Sequence, residues 1–578
     1  MTGFRVEQSS FTDSEIKKWS ASAGRFANWP VVYTLSADNR VYVGESLNVA
    51  NRMRQHRDSG AKVGLRTMRV IIDETFNKSV CLDLESHLIR WFAGDGQLEV
   101  LNRNSGITDA DYYNRVAYHQ TFDEVFEQLR SEHLFSRSIP EIENSDLFKL
   151  SPFKTLTDDQ AAAVEDIVDG FLEDYASPSP PNDGTVVVQG SAGTGKTIVG
   201  IYLLKLLRDI AESVGGDEPD QDSMFAEYFV PENRELLKND RMAMVVPQQS
   251  LRRSVQKVFR KTPGLQRVEV LSPVQLGRRE VVYDLVVVDE AHRLNHRANQ
   301  PSPAQNRAFA DINESLFGQD SNEYTQLDWI VARSRHRILL MDEFQSVRPA
   351  DLPIASVRRL TNAAKDVGRF YPLISQMRVR AGADYIPYVR ALLAGETPVA
   401  MPSFGEYDLR FFEDVSEMRD EIRRLDREVG LARLVAGFAW DWKTKTDPAA
   451  YDIELDGIRL RWNQTDKDWI NSRGAIDEVG SIHTVQGYDL NYAGVIIGPD
   501  LRYDPVRDAV VLDRARYRDK KGKENNPRLG IFYSDDDLLR YVRNIYSVLL
   551  TRGMRGTFVY VCDPALRDYL RQRLPRST

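Results

Sequence analysis

Gly190-Ser191-Ala192-Gly193-Thr194-Gly195-Lys196-Thr197 is the stretch that decides the fold of this chain. It follows the apolar run Thr185-Val186-Val187-Val188 and leads into Ile198-Val199-Gly200-Ile201-Tyr202-Leu203-Leu204, which has helical character. Strand, glycine-rich loop, Lys-Thr and helix, in that order, form a phosphate-binding loop in its required setting. Gly190, Gly193 and Gly195 let backbone N–H groups curl around phosphate oxygens, and the helix N-terminus adds its dipole. Lys196 can reach the β- and γ-phosphates, and Thr197 can ligate Mg²⁺. The loop predicts binding and hydrolysis of a nucleoside triphosphate, with ATP and Mg²⁺ as cofactors.

A chain of 578 residues is too long for one core and should divide into several domains. With 42% hydrophobic and 28% charged residues, its composition is that of an ordinary globular protein. No run is apolar and long enough to cross a bilayer, and the first residues lack a signal-peptide pattern, so no membrane partner is expected. The two cysteines, Cys81 and Cys562, lie far apart in apolar settings. That excludes a disulfide or zinc framework and fits a reducing, cytoplasmic location. A net charge of −9 gives no global support for binding a polyanion, but local patches govern such binding. Arg52, Arg54, His56, Arg57, Lys62, Arg66 and Arg69 cluster with Asp58 as the only acid among them. The run reads either as a solvated face or as a backbone-binding surface.

Residues 1–135 read as a small α/β unit. Val31–Leu35 and Arg40–Val43 flank the turn Ser36-Ala37-Asp38-Asn39 as a hairpin. A helix from Leu47 to His56, a strand at Met68–Ile72 and a helix over Leu82–Trp91 follow. Residues 136–156, with Pro140 and Pro152, read as a linker. Residues 157–372 carry the loop and further buried strands before Pro247, Asp289 and Asp342. Residues 373–578 repeat the pattern at Arg433–Phe438, Gly494–Ile497 and Phe558–Val561. Strands alternating with helices predict two doubly wound parallel sheets. Residues 212–240 and 293–330 read as insertions.

Val286-Val287-Val288-Asp289-Glu290 is an apolar strand ending in two carboxylates. Asp289 can hold Mg²⁺ through water, and Glu290 can orient and deprotonate the attacking water. The letters Asp289-Glu290-Ala291-His292 suggest superfamily-two helicases, but the later elements differ. Leu339-Leu340-Met341-Asp342-Glu343-Phe344-Gln345 resembles the third motif of superfamily-one helicases, with Met341 in place of its glycine. Val246-Pro247-Gln248-Gln249-Ser250, Leu373-Ile374-Ser375-Gln376-Met377-Arg378, Ser481-Ile482-His483-Thr484-Val485-Gln486-Gly487 and Tyr546-Ser547-Val548-Leu549-Leu550-Thr551-Arg552-Gly553 resemble motifs Ia, IV, V and VI. Gln160 stands where that family reads adenine. The ordered series most resembles the bacterial Schlafen group 3-like helicase domain over residues 150–570, and implies two RecA-like domains. It implies Gln345 as γ-phosphate sensor, Gly487 at the nucleotide, and Arg378 and Arg552 as arginines presented from the second domain to the γ-phosphate. Trp440, Trp442 and Trp462 are candidates for stacking on bases, or are core.

Before the loop, Val31-Val32-Tyr33 and Tyr42-Val43-Gly44 resemble the paired signature of the GIY-YIG nuclease family over residues 28–105. Arg52 and His56 lie four apart on one helical face, Glu85 falls on the next helix and Asn102 follows. For phosphodiester cleavage, Glu85 can hold one Mg²⁺ or Mn²⁺, and Arg52 can stabilise transition-state charge. Tyr33, Tyr42 and His56 can each position or deprotonate water, and Asn102 braces the site.

The combined expectation is a nuclease joined to a nucleic-acid-stimulated ATPase or translocase acting on single-stranded, forked or duplex DNA, in anti-phage defence or repair. Alternatives are a nuclease gated by a non-translocating ATPase, a docking module without cleavage, and an RNA-directed enzyme, since no residue separates DNA from RNA.

Overall fold

The structure, a computed structural model, describes all residues except 1–2, 23, 59–61, 63, 103–111, 178–183, 214–224, 298–301, 377–378, 383, 397–401, 466–468, 486–487, 521–522, 524, 526–531 and 577–578. The chain divides into two compact units, Met1–Pro180 with Ile198–Met242 and Ser254–Glu269, and Pro181–Thr197 with Ala243–Arg253 and Val270–Thr578.

The first unit opens on a five-stranded sheet of β1 (Phe4–Ser10), β2 (Val31–Ala37), β3 (Arg40–Ser46), β4 (Thr67–Asp73) and β5 (Glu99–Val100), ordered β1-β4-β2-β3-β5. Asp38 and Asn39 make the tight turn between β2 and β3, and β2 runs two residues further than the sequence suggests, with Ser36 opposite Val41 and Ala37 opposite Arg40. All pairings are antiparallel except β3 with β5. Strand alternation splits the core into two faces. Val32, Val41 and Val43 pack under the helices Lys78–Asp95 and Arg115–Ser131. Tyr33, Leu35 and Val70 face Val49 and Met53 of the helix Val49–Asp58.

Residues 136–156 are not a polar tether. Short helices at Ile139–Glu143 and Asp146–Lys149 bury Ile142 and Leu147. Ile142 and Phe153 join the core beneath Lys78–Asp95. A Cβ on Gly94 would lie 2.7 Å from Ile142 and 2.9 Å from Phe148, so that helix is cut to receive them.

The second unit carries two sheets. β6 (Thr185–Gly190), β7 (Met242–Val245), β8 (Glu269–Leu271), β9 (Tyr283–Val288), β10 (Ser334–Met341) and β11 (Phe370–Leu373) take the order β11-β6-β10-β9-β7-β8. β6 pairs in parallel with β10 and β11, and β10 with β9. β12 (Asp408–Phe411), β13 (Ala432–Ala436), β14 (Ile453–Leu455), β15 (Ile458–Trp462), β16 (Glu478–Ser481), β17 (Leu490–Ile497) and β20 (Gly553–Val561) form the other, ordered β12-β20-β17-β13-β16-β15-β14. Only β14 with β15 is antiparallel there. β18 (Leu501–Asp504) and β19 (Ala509–Leu512) make a separate hairpin. Near-continuous apolar strands such as Leu285–Val288 and Val495–Ile497 fit sheets covered on both faces. Loops leaving the carboxyl ends of parallel strands are where α/β proteins hold ligands, and the phosphate loop follows β6 there.

Candidate active sites

Register assembles the first cluster. Tyr33 pairs with Gly44 and Leu35 with Tyr42, so the two tyrosines sit diagonally on one face. Their ring centroids are 6.3 Å apart. A Cβ at position 44 would overlap the Tyr33 hydroxyl and Cζ, so glycine alone leaves room for that ring. The Tyr33 oxygen lies 2.7 Å from His56 Nε2, and the His56 ring meets Tyr42 edge-on at 5.1 Å. Burial drives the Tyr33 hydroxyl pKa well above its ordinary value, Tyr42 and Glu85 push it further, and Arg52 opposes them. Tyr42, Arg52 and Glu85 therefore all act on the same phenol. Arg52 lies one turn before His56, and Glu85 stands on Lys78–Asp95, whose N-terminus Asn77 caps by accepting from Val80 N–H.

Asn102 grips the β3 backbone at both ends of its amide. Its Oδ1 accepts the Val43 N–H at 3.0 Å, and its Nδ2 donates to the Val43 carbonyl at 2.8 Å. The bond pair continues the β3–β5 ladder and fixes the strand bearing Tyr42 and Gly44. Sequence reading gave no role to Lys62 beyond the basic run, yet its ammonium lies 3.9 Å above the Tyr42 ring. Glu45, bonded to Lys78 of the helix that carries Glu85, was not anticipated either. The basic run is thinner than its spelling suggests. Arg57 bonds Asp13 at 3.1 Å, while Arg69 is buried and bonds Glu132 at 2.8 Å and Ser36 at 3.1 Å. Arg54 and Arg66 stay exposed. Among the described residues no trio of His, Cys, Asp and Glu encloses a metal. A half-buried single carboxylate, Glu85, suits instead a divalent ion that keeps most of its waters.

The second cluster lies on the six-stranded sheet. Gly193 and Gly195 take φ of 87° and 76°, left-handed values that a Cβ disfavours. Lys196 and Thr197 open the helix Lys196–Glu212. Lys196 Nζ donates to the carbonyls of Gly190 (2.7 Å) and Ser191 (3.0 Å), and the Thr197 hydroxyl donates to Asp289 Oδ2 at 2.9 Å. That bond spans β10 and joins the loop to the end of β9. Asp289, fully buried, and Glu290, mostly buried, are adjacent carboxylates whose titrations separate. Burial and the Glu290 charge raise Asp289 against Thr197 and Lys196. Burial also acts to raise Glu290, but His292, Lys196 and Arg293 outweigh it and hold it low.

His292 was passed over in the sequence. It is buried, 3.0 Å from Glu290 Oε2 through Nε2, and its Nδ1 accepts the Asp342 N–H at 3.2 Å. Gln345 donates its amide to Asp342 Oδ2 at 2.7 Å.

The remaining expected site residues are in varied settings. Arg552 is not presented outward: it is 2% exposed and donates to the Tyr488 carbonyl at 3.1 Å, drawn in where Gly553 begins β20. Gln160 is buried and its amide oxygen accepts the Thr157 N–H at 3.1 Å, capping its own helix. Arg378 and Gly487 lie outside the described residues. Trp462 is core, and Trp440 packs against that core. Trp442 lines a groove of about 910 Å³ together with Gln248, Arg293, Arg348 and His483. Arg293 bonds Gln248 at 3.0 Å and Arg348 bonds His483 at 2.9 Å, so two bonded polar pairs line it.

These features define a class of enzyme, an endonuclease unit joined to a helicase-type ATPase. Residues 31–96 match the GIY-YIG catalytic domain, and residues 183–563 match the Schlafen group 3, DNA/RNA helicase domain. The latter covers more than half of the chain, which belongs to the Schlafen group 3 DNA/RNA helicase family. The uncharacterized protein YPL245W of Saccharomyces cerevisiae is 26% identical over 415 residues, covering 66% of this chain and 83% of that one. Among solved structures, arterivirus nonstructural protein 10 (helicase) in complex with DNA aligns at 14% identity and TM-score 0.30, over 70% of this chain and 65% of that one. The crystal structure of an arterivirus nonstructural protein 10 helicase aligns at 12% identity and TM-score 0.29, over 70% and 64%. The chain thus spans slightly less than two thirds of these viral helicases. Among the described residues no helix is long and apolar enough to cross a membrane.

Proposed function

We propose that the chain is a nucleic-acid-stimulated ATPase and translocase that carries its own metal-dependent phosphodiesterase, acting on DNA. The observation that carries this reading is the convergence of His56, Arg52 and Glu85 on the Tyr33 phenol in a chain whose Thr197 also locks onto Asp289.

In the nuclease step, burial keeps Tyr33 protonated, so its hydroxyl donates to His56 Nε2. In this reading a proton leaving the attacking water passes through Tyr33 to His56. Arg52 stabilises charge gathering on the phosphorus oxygens. Glu85 holds Mg²⁺ or Mn²⁺, which when bound supplies Lewis acidity toward the phosphate. In the ATPase step, Lys196 exchanges the Gly190 and Ser191 carbonyls for the β- and γ-phosphates. Thr197 and Asp289 provide the Mg²⁺ side of the site. Glu290, kept ionised by its neighbours, orients the water. The nucleic acid lies in the groove, with Arg293 and Arg348 toward phosphates and Trp442 against a base. Such a machine suits genome maintenance or defence against phage.

The test compares cleavage of single-stranded, duplex and forked DNA and of RNA, with Mg²⁺ or Mn²⁺, with and without ATP. Glu85→Ala should lower cleavage by at least about 100-fold and leave ATP turnover intact. Lys196→Ala should abolish turnover. Cleavage surviving the first change, or hydrolysis surviving the second, overturns the reading, and preference for RNA over DNA reassigns the substrate.

A further inference from the structure

The turn after β10 is held from two sides. Asp342 sits at its centre: Oδ1 accepts the Phe344 N–H at 3.0 Å, and Oδ2 accepts the Gln345 amide at 2.7 Å. From the β9 side, His292 accepts the Asp342 N–H and touches Glu290. On the other side stands Arg390, on the helix Tyr385–Ala394. That helix buries Tyr385, Val389 and Leu392 in the core of the seven-stranded sheet, beside Phe411 and Val559. Its Arg390 guanidinium reaches out to lie 3.9 Å above the Phe344 ring and 3.9 Å from Asp342 Oδ1.

Two details make this more than a surface pair. Gln345 is buried, and its amide oxygen has no hydrogen-bond partner among the described residues. Its orientation follows whatever fixes Asp342, because its amide nitrogen is bonded there. Arg390 Nε is buried and has no hydrogen-bond partner among the described residues either, and the ring face and the carboxylate hold the guanidinium. A planar cation over a ring is directional, which suits it to fixing a turn.

We propose that Arg390 and His292 are positioning residues acting through Asp342, which together tie the water-orienting Glu290 and the turn bearing Gln345 to the helices of the seven-stranded sheet. Neither touches the nucleotide. When Glu290 and Gln345 engage ATP and water, Asp342 shifts, and Arg390 carries that shift to a helix anchored in the other sheet. Nucleic acid binding acts on the same link in reverse. The inference rests on the ATPase reading above.

The experiment measures ATP turnover with and without a single-stranded oligothymidylate, and affinity for a fluorescent ATP analogue, in the full chain. Arg390→Ala should lower oligonucleotide-stimulated kcat about tenfold or more, with KM for ATP and analogue affinity within about twofold. Arg390→Lys should recover part of the rate, since it keeps the charge over the ring. Phe344→Leu, which keeps every charge, should lose stimulation like Arg390→Ala, and carries the test should the alanine variant misfold. His292→Gln combined with Arg390→Ala should be no worse than the more severe single change, because both sit on one chain of contacts. Retained stimulation in Arg390→Ala and Phe344→Leu, a rise in KM that accounts for the loss, or additive defects would overturn the proposal. A wild-type chain without ATP turnover would instead overturn the reading it rests on.

Discussion

At position 44 a single missing side chain makes the nuclease cluster possible. Gly44 lies opposite Tyr33 in the hairpin, and any Cβ there would occupy the space of the phenol ring. Gly44→Ala should therefore displace the Tyr33 hydroxyl from His56, lowering cleavage by about 100-fold or more while costing only about 1–3 kcal/mol of stability. Plasmid cleavage and a thermal melt of the same sample separate the two effects, and full activity in the variant would refute the packing argument. Residue identity and spacing exposed much of this cluster. Tyr33, Tyr42, Arg52, His56 and Glu85 are chemically marked, and helical or strand periodicity places each on a face. What spacing cannot give is the partner of a long side chain. Arg57 and Arg69 look identical to Arg54 and Arg66 in sequence, yet Asp13 and Glu132, distant along the chain, take them out of the basic face. Spacing likewise does not show that Arg552 bonds the Tyr488 carbonyl or that Gln160 accepts the Thr157 N–H at the start of its own helix.

At the scale of elements, helix Lys78–Asp95 gathers the most constraints. Its Asp83, with a side chain 4% exposed, accepts from Tyr112 (2.9 Å) and Arg115 (3.1 Å) and contacts His87. These bonds join it to Arg115–Ser131 and so hold the helix that presents Glu85. Burial acts to raise the Asp83 carboxyl, but His87, Arg115 and Tyr112 outweigh it and hold it well below the usual range. A depressed native pKa means stability that is fully present above the unfolded carboxyl's value of about 3.9 and is lost as pH falls below it. Asp83→Asn should cost about 3 kcal/mol at pH 7 and flatten the loss of stability on acidification through pH 4. Denaturant titrations at pH 7 and across that window measure both, and an unchanged acid limb would show that other carboxylates set it. The fold of the neighbouring segment was less legible. Pro140 reads as a breaker, but it sits in the first turn of Ile139–Glu143, where its missing N–H has no intrahelical role. The capping box of Ser138 with Glu141 marks that helix start, and its signal is weak because the helix is only five residues long.

For the molecule as a whole, the proposed function asks an acidic chain to bind a polyanion through surfaces that outweigh its own field. With net charge −9, long-range attraction is absent and local geometry decides. The 910 Å³ groove meets this need: Arg252, Arg293, Arg348 and Lys445 line it against one acid among the described residues, Asp351. Asp351 already accepts the backbone N–H groups of Val347 and Arg348. Burial and the nearby Arg348 lower the Arg293 pKa to about 10, so the guanidinium is charged at neutral pH and gains from an anion brought beside it. Affinity for a single strand should fall steeply with salt, with a slope of about 0.7 per phosphate contact. Lys445 is exposed at the groove, its ammonium 4.9 Å from the Trp442 ring. Lys445→Ala should reduce the slope by roughly one contact's worth, about 0.7, and weaken all sequences alike. Arg424, on an exposed helical face and paired with Glu421 and Glu428, is the control whose removal should leave the slope unchanged. Anisotropy of a labelled oligonucleotide from about 50 to 200 mM salt reads both slopes. Equal slopes for Lys445→Ala and the wild type would place the strand outside this groove, and the basic residues left on the nuclease face, Arg54 and Arg66, would then have to carry the binding.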